Sequence, residues 1–160
     1  PPAPVASMAG GLNMDNLYAI GKTRDITVIG YGASELDDYL RRAAAKQDRV
    51  LVPEPTPEKG FYYRSDHFNL AKHGVPMLYT KAGIDSPTLG AEYGKQWLAD
   101  YTAKRYHQVT DEYSPNWDVS GTLQDLQLYY DVGLDVADSS RWPNWRADSE
   151  FRAIRDQSRK

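Results

Sequence analysis

The chain contains no cysteine. Disulfides and thiolate-bound zinc are therefore excluded, while the compartment stays open, because a cysteine-free protein suits either side of a membrane. No apolar run approaches the roughly eighteen residues that a membrane span needs. There is no excess of basic residues either: 19 Lys and Arg face 22 Asp and Glu, for a net charge of −3. With a pI near 5.6, the chain lacks the electrostatic footprint of a nucleic-acid or anionic-membrane binder. Histidine is scarce, with three copies, and there are no repeats or low-complexity tracts. What is present is ordinary for a globular protein: 160 residues, 41% hydrophobic and 26% charged. That is one domain or a large part of one, with enough chain to bury a core. Twelve Tyr and four Trp are many for this size. Most are expected in the core, although aromatics also line substrate clefts.

Residues 1–10 hold three Pro and several small residues, without the basic start of a signal peptide, and read as a linker or a strand approach. Residues 12–17 alternate apolar and polar, which predicts a short strand with Asp15 near its carboxyl end. Ile26 to Ile29 is a second strand closed by Gly30 and Gly32, which lack the third glycine and the lysine of a phosphate loop. Ser34 is placed as the N-cap of a surface helix, with Asp37 in the capping-box position. Its apolar stripe is Leu36, Tyr39, Leu40, Ala43 and Ala44, and Asp37–Arg41 and Asp38–Arg42 are the expected pairs on its outer face. Val50 to Val52 is a brief strand, ended by Pro53, Pro55 and Pro57. A short helix from about Ser65 stops at Gly74, a strand covers Val75 to Tyr79, and a helix marked by Tyr93, Trp97, Leu98 and Tyr101 leads to His107. The longest helix spans about 121–138, with Leu123, Leu126, Tyr130, Leu134 and Ala137 assigned to its buried stripe. Strands alternating with helices predict an α/β layered fold, a mostly parallel or mixed sheet with helices on both faces.

Three polar stretches carry the chemistry. They are Asn13-Met14-Asp15-Asn16, Tyr62-Tyr63-Arg64-Ser65-Asp66-His67, and Tyr106-His107 followed by Thr110-Asp111-Glu112. Imidazole and carboxylate together suit zinc, which takes both at roughly 2.0–2.2 Å. In an open α/β sheet, ligands gather beyond the carboxyl ends of strands, where all three stretches are expected. The other two histidines have plain structural readings. His67 can cap a helix N-terminus, and His73 sits at a helix end where a cation suits the dipole.

In order and content these stretches resemble the di-zinc aminopeptidase family of clan MH. The segment Phe61 to Phe68 with Gly74-Val75-Pro76 and the Tyr-His-x-x-x-Asp-Glu element are the more specific parts. The ending Trp145 and Ser149 to Asp156 is similar to that of secreted bacterial members. The resemblance implies a zinc-dependent exopeptidase of aminopeptidase or dipeptidase type, acting on peptides and located in the periplasm or outside the cell. It implies that Asp15 and His107 are metal ligands, one to each of two zinc ions. Ser65, Asp66, His67, Tyr62 and Tyr63 then stand beside the metals or along the substrate wall.

The family pattern also needs an upstream His-x-Asp and a Glu-Glu pair holding the general base, and neither occurs here. The expectation is that 11–160 is the C-terminal part of a zinc-peptidase domain, with no catalytic residue of its own and zinc absent or weakly held. Such a chain should bind its missing N-terminal half or self-associate. The alternative is a non-catalytic, peptidase-like interaction module. A single-zinc acyltransferase of the glutaminyl-cyclase type is a weaker third reading.

Overall fold

The strongest β-formers meet in one four-stranded sheet. The computed structural model describes residues 3–15 and 18–159; Asn16 and Leu17, where the first strand was expected to end, lie outside them. The strands are β1 (Gly11–Asn13), β2 (Asp25–Ile29), β3 (Val50–Pro53) and β4 (Met77–Ala82), in the order β1-β4-β2-β3. β1 runs parallel to β4, with Asn13 beside Tyr79, and β2 runs parallel to β3. The two pairs meet antiparallel between β2 and β4, where Ile29 lies beside Tyr79. The sheet is therefore mixed, and the expected α/β architecture holds.

Side-chain alternation divides the core between the two faces. On one face Ile26, Val28 and Leu78 pack against helix α1 (Leu36–Ala45) and against Leu128 and Val132 of helix α4 (Ser120–Asp138). The expected α1 stripe is the buried one. On the other face Ile29, Met77 and Tyr79 meet Tyr62, Trp145, Phe151 and the short helix α2 (Phe68–Ala71). Helix α3 (Gly90–Lys104) and helix α5 (Arg152–Ser158) complete the chain. Trp145 is fully buried and its indole N–H donates to the Gly74 carbonyl at 2.8 Å. Gly74 has a φ of 87°, and a Cβ there would collide with the backbone at Arg155. This glycine ends α2 and admits α5 at once.

Three local expectations change. Ser34 Oγ accepts the Leu36 N–H at 3.0 Å, while Asp37 turns back to accept from Gly32 N–H and does not close a capping box. The helix pairs expected at Asp37–Arg41 and Asp38–Arg42 are replaced: Asp38 pairs with Arg41 and Arg146, and Arg42 with Asp135. Asp37 is buried and its carboxyl is raised by that burial. The largest change is in α4, whose buried face is Gly121, Asp125, Leu128, Tyr129 and Val132. Leu123, Leu126, Tyr130 and Leu134, expected in the core, are exposed by 38–65%.

Candidate functional site

Asp15 lies two residues beyond β1, at the edge where β1 and β4 both end. Because β3 runs the other way, the segment after it leaves from the opposite edge and crosses the sheet face before its Ser65 meets Asp15. Prolines 53, 55 and 57, the two short 3-10 turns Pro57–Lys59 and Phe61–Arg64, and the left-handed Gly60 (φ 64°) shape that crossing. The carboxyl-edge rule thus locates Asp15, while the 60–67 stretch reaches it along the face.

The Asp15 carboxylate is held from one side. Ser65 Oγ donates to its Oδ2 at 2.9 Å and the Tyr79 hydroxyl donates to the same oxygen at 3.2 Å. Ser65 in turn accepts from Asn13 Nδ2 at 2.8 Å. The Tyr129 hydroxyl of α4 donates to the Asn13 carbonyl at 2.8 Å and contacts Thr80 Oγ1 at 2.6 Å. The exposed carboxylate is tied through this network to both strands and to α4. Among the described residues no group donates to Oδ1, which leaves one oxygen available to a cation.

The surroundings respond to that charge. Burial first, and then the Asp15 carboxylate, raise the Tyr79 phenol above its ordinary range, so it stays a donor. Tyr18 is pushed up to about 12, by burial first, then by Tyr101, Tyr106 and Asp15. Lys81 is lowered by burial, against the pull of Asp15 and Glu54, and its Nζ rests 4.2 Å above the Phe61 ring.

His67 is 2% exposed and its side chain makes no capping hydrogen bond to α2; among the described residues neither ring nitrogen has a partner. Its ring packs edge-on to Tyr62 at 4.5 Å and lies 5.0 Å from Tyr79. Burial lowers its pKa to about 4, so the imidazole is neutral at ordinary pH. Asp66 is exposed beside it. Tyr62 and Tyr63 face away from Asp15, toward the Gly30 turn and Glu150; the Tyr63 hydroxyl donates to Glu150 Oε1 at 2.7 Å.

His107 is exposed, with a left-handed φ of 57°, and stacks on Tyr106 at 4.0 Å. Its loop folds back on α3: Tyr101 donates to Asp111 at 3.1 Å and Thr110 to the Lys104 carbonyl at 2.5 Å. A run of rings joins the two candidate ligands indirectly. Tyr18, which feels the Asp15 charge, packs on Trp97 and Tyr101, and Tyr101 packs on Tyr106. Sequence reasoning missed Tyr79, Tyr129 and the carbonyl of Asn13. Tyr79 faces Asn13 only through strand register, which leaves no local signal in the chain.

Zinc needs about four ligands, three of them from protein in a catalytic site. Among the described residues no three His, Asp or Glu side chains come together as a metal-holding group. The described residues therefore do not form a zinc centre by themselves, and no reaction step is assigned to them.

The model of peptidase family M28 matches residues 2–131. No curated protein and no solved structure matches the chain. The family match covers most of the chain, including Asp15, the 60–67 segment and His107, and agrees with the mixed α/β sheet. The chain belongs to peptidase family M28, a family of zinc metallopeptidases.

Proposed function

We propose that this chain is part of a zinc-dependent exopeptidase domain of aminopeptidase or dipeptidase type, inactive alone, in which Asp15 and His107 each bind one of two zinc ions. The observation that carries this reading is the Asp15 carboxylate, fixed through Oδ2 by Ser65 and Tyr79 with Oδ1 left open. A hydrogen-bonded carboxylate of that kind is how metal ligands are oriented. When bound, such paired zincs polarise a peptide carbonyl and lower the pKa of a bound water. The chain's own share is to aim Asp15, to keep Tyr79 protonated as its donor, and to wall the site with Ser65, Tyr18 and Trp97. The remaining ligands and the general base belong to residues outside these 160. A secreted or periplasmic location is part of the same proposal and rests on the resemblance of the C-terminal segment.

A second reading, a peptidase-like interaction module, is favoured by the exposed apolar stripe on α4. Amide-resolved NMR with added zinc separates the two. The peptidase reading predicts shifts centred on Asp15 and Ser65 and on His107. Shifts confined to His73, or none, would favour the module.

A further inference from the structure

Away from the Asp15 site, a pocket lies beyond the carboxyl ends of β2 and β3, and Asp15, Ser65, Tyr79 and His107 are not among its walls. It is an open hollow of about 520 Å3 between the Gly30–Ala33 turn and residues 148–151. Its charged walls are Glu54, Asp148 and Glu150, and no Lys, Arg or His lines it. Two buried polar atoms here have no partner among the described residues. Glu54 is 9% exposed and Tyr62 7%, yet Glu54 Oε2 and the Tyr62 hydroxyl make no hydrogen bond. The other Glu54 oxygen accepts from Gly30 N–H at 3.3 Å, which holds the carboxylate against the turn. Lys81 feels the Glu54 charge at a distance, but its Nζ sits over the Phe61 ring and, among the described residues, makes no ion pair with Glu54.

A buried carboxylate oxygen without a donor is costly, and a bound N–H group would relieve that cost. The apolar walls add the complementary feature. Tyr62 stacks with Phe151 at 6.0 Å and meets Tyr63 edge-on at 5.6 Å, giving the aromatic faces that attract organic cations. No three acidic or histidine side chains gather as a metal group among the described residues, which argues against a divalent ion. A quaternary ammonium carries no N–H to satisfy Glu54. The match is a cation that has both donors and an apolar stem.

We propose that this pocket binds the basic side chain of a peptide, a guanidinium or primary ammonium, with its charge at Glu54 and Glu150 and its stem on the Tyr62, Tyr63 and Phe151 rings. This site stands independently of the zinc reading, since it uses neither Asp15 nor His107.

The test is an NMR titration of the 160-residue chain, read at the Gly30 and Gly32 amides. The probes are N-acetyl-arginine amide, N-acetyl-lysine amide, the neutral N-acetyl-norleucine amide and tetramethylammonium. Saturable binding in the millimolar range is expected for the two donor-bearing cations and not for the other two. Glu54→Gln should weaken it at least tenfold and Glu150→Gln, on the rim, two- to fivefold. Should Glu54→Gln fail to fold by circular dichroism, Glu150→Gln and Tyr63→Ala, which removes an exposed ring wall, decide instead. Absence of saturable binding, equal binding of norleucine amide, or affinities unchanged in the folded variants would overturn the proposal.

Discussion

His67 stands beside Asp15 in the sequence pattern, yet its imidazole is buried between tyrosine rings and neither nitrogen has a partner among the described residues. The folded state therefore holds it neutral, with a pKa near 4 against an ordinary 6.5. A histidine depressed in this way contributes stability that is fully present above about pH 6.5 and is lost as pH falls toward 4, because the unfolded chain takes up the proton first. The difference in urea midpoint between the wild type and His67→Leu should change across that window. A constant difference from pH 7 to 4 would show that His67 is not held neutral. A second buried charge gives a mutational test. Arg49 Nη1 meets Asp125 Oδ1 at 2.7 Å with both side chains nearly inaccessible. Burial raises the Asp125 carboxyl despite this partner. Asp125→Asn leaves the guanidinium uncompensated and should cost about 3–5 kcal/mol in chemical denaturation, whereas joint replacement of both by apolar residues of similar volume should recover most of it. The sequence marks Asp15 and Ser65, since they sit in recognisable stretches. It does not mark Tyr79, Tyr129 or the Arg49–Asp125 pair, whose members meet across long chain separations through register and packing.

At the scale of elements, most of the boundaries were legible. The α1 stripe, the glycine stop after α2 and the aromatic run of α3 all follow local periodicity or turn chemistry. The face of α4 was not. Two apolar sets share that helix, and periodicity alone cannot choose between Leu128–Val132 and the Leu123–Leu134 stripe. The choice went to the set that includes Tyr129, whose hydroxyl reaches Asn13 and Thr80. The other set is left in solvent as a row of apolar side chains spaced three or four residues apart. Such a stripe is an association surface. Leu123→Lys with Leu134→Lys should change folding stability by no more than about 1 kcal/mol, because surface changes cost little. The same pair should reduce self-association in sedimentation velocity across a concentration series. A large loss of stability with unchanged association would mean that this face is packed within the fold. Strand direction was equally hidden: antiparallel pairing of β2 with β4 sends the chain after β3 out at the far edge, and only the crossing segment brings Ser65 back.

For the molecule as a whole, the family match and the mixed sheet agree with the expected α/β peptidase fold. One edge of that sheet is β1, three residues long and, among the described residues, paired with β4 alone, while α4 turns its apolar stripe to solvent. An open strand edge and an exposed apolar stripe each invite another polypeptide. Such surfaces are what the proposed function expects of a chain that completes its metal site with other residues. The central claim, that Asp15 and His107 are two members of a larger zinc-ligand set, is most directly tested by calorimetric titration of zinc into the 160-residue chain and its Asp15→Asn and His107→Ala variants. Affinity depends on ligand count. The account predicts binding weaker than micromolar in the wild type, reduced at least tenfold in either variant. Two tight sites in the chain alone, or weak binding indifferent to both substitutions, would contradict it.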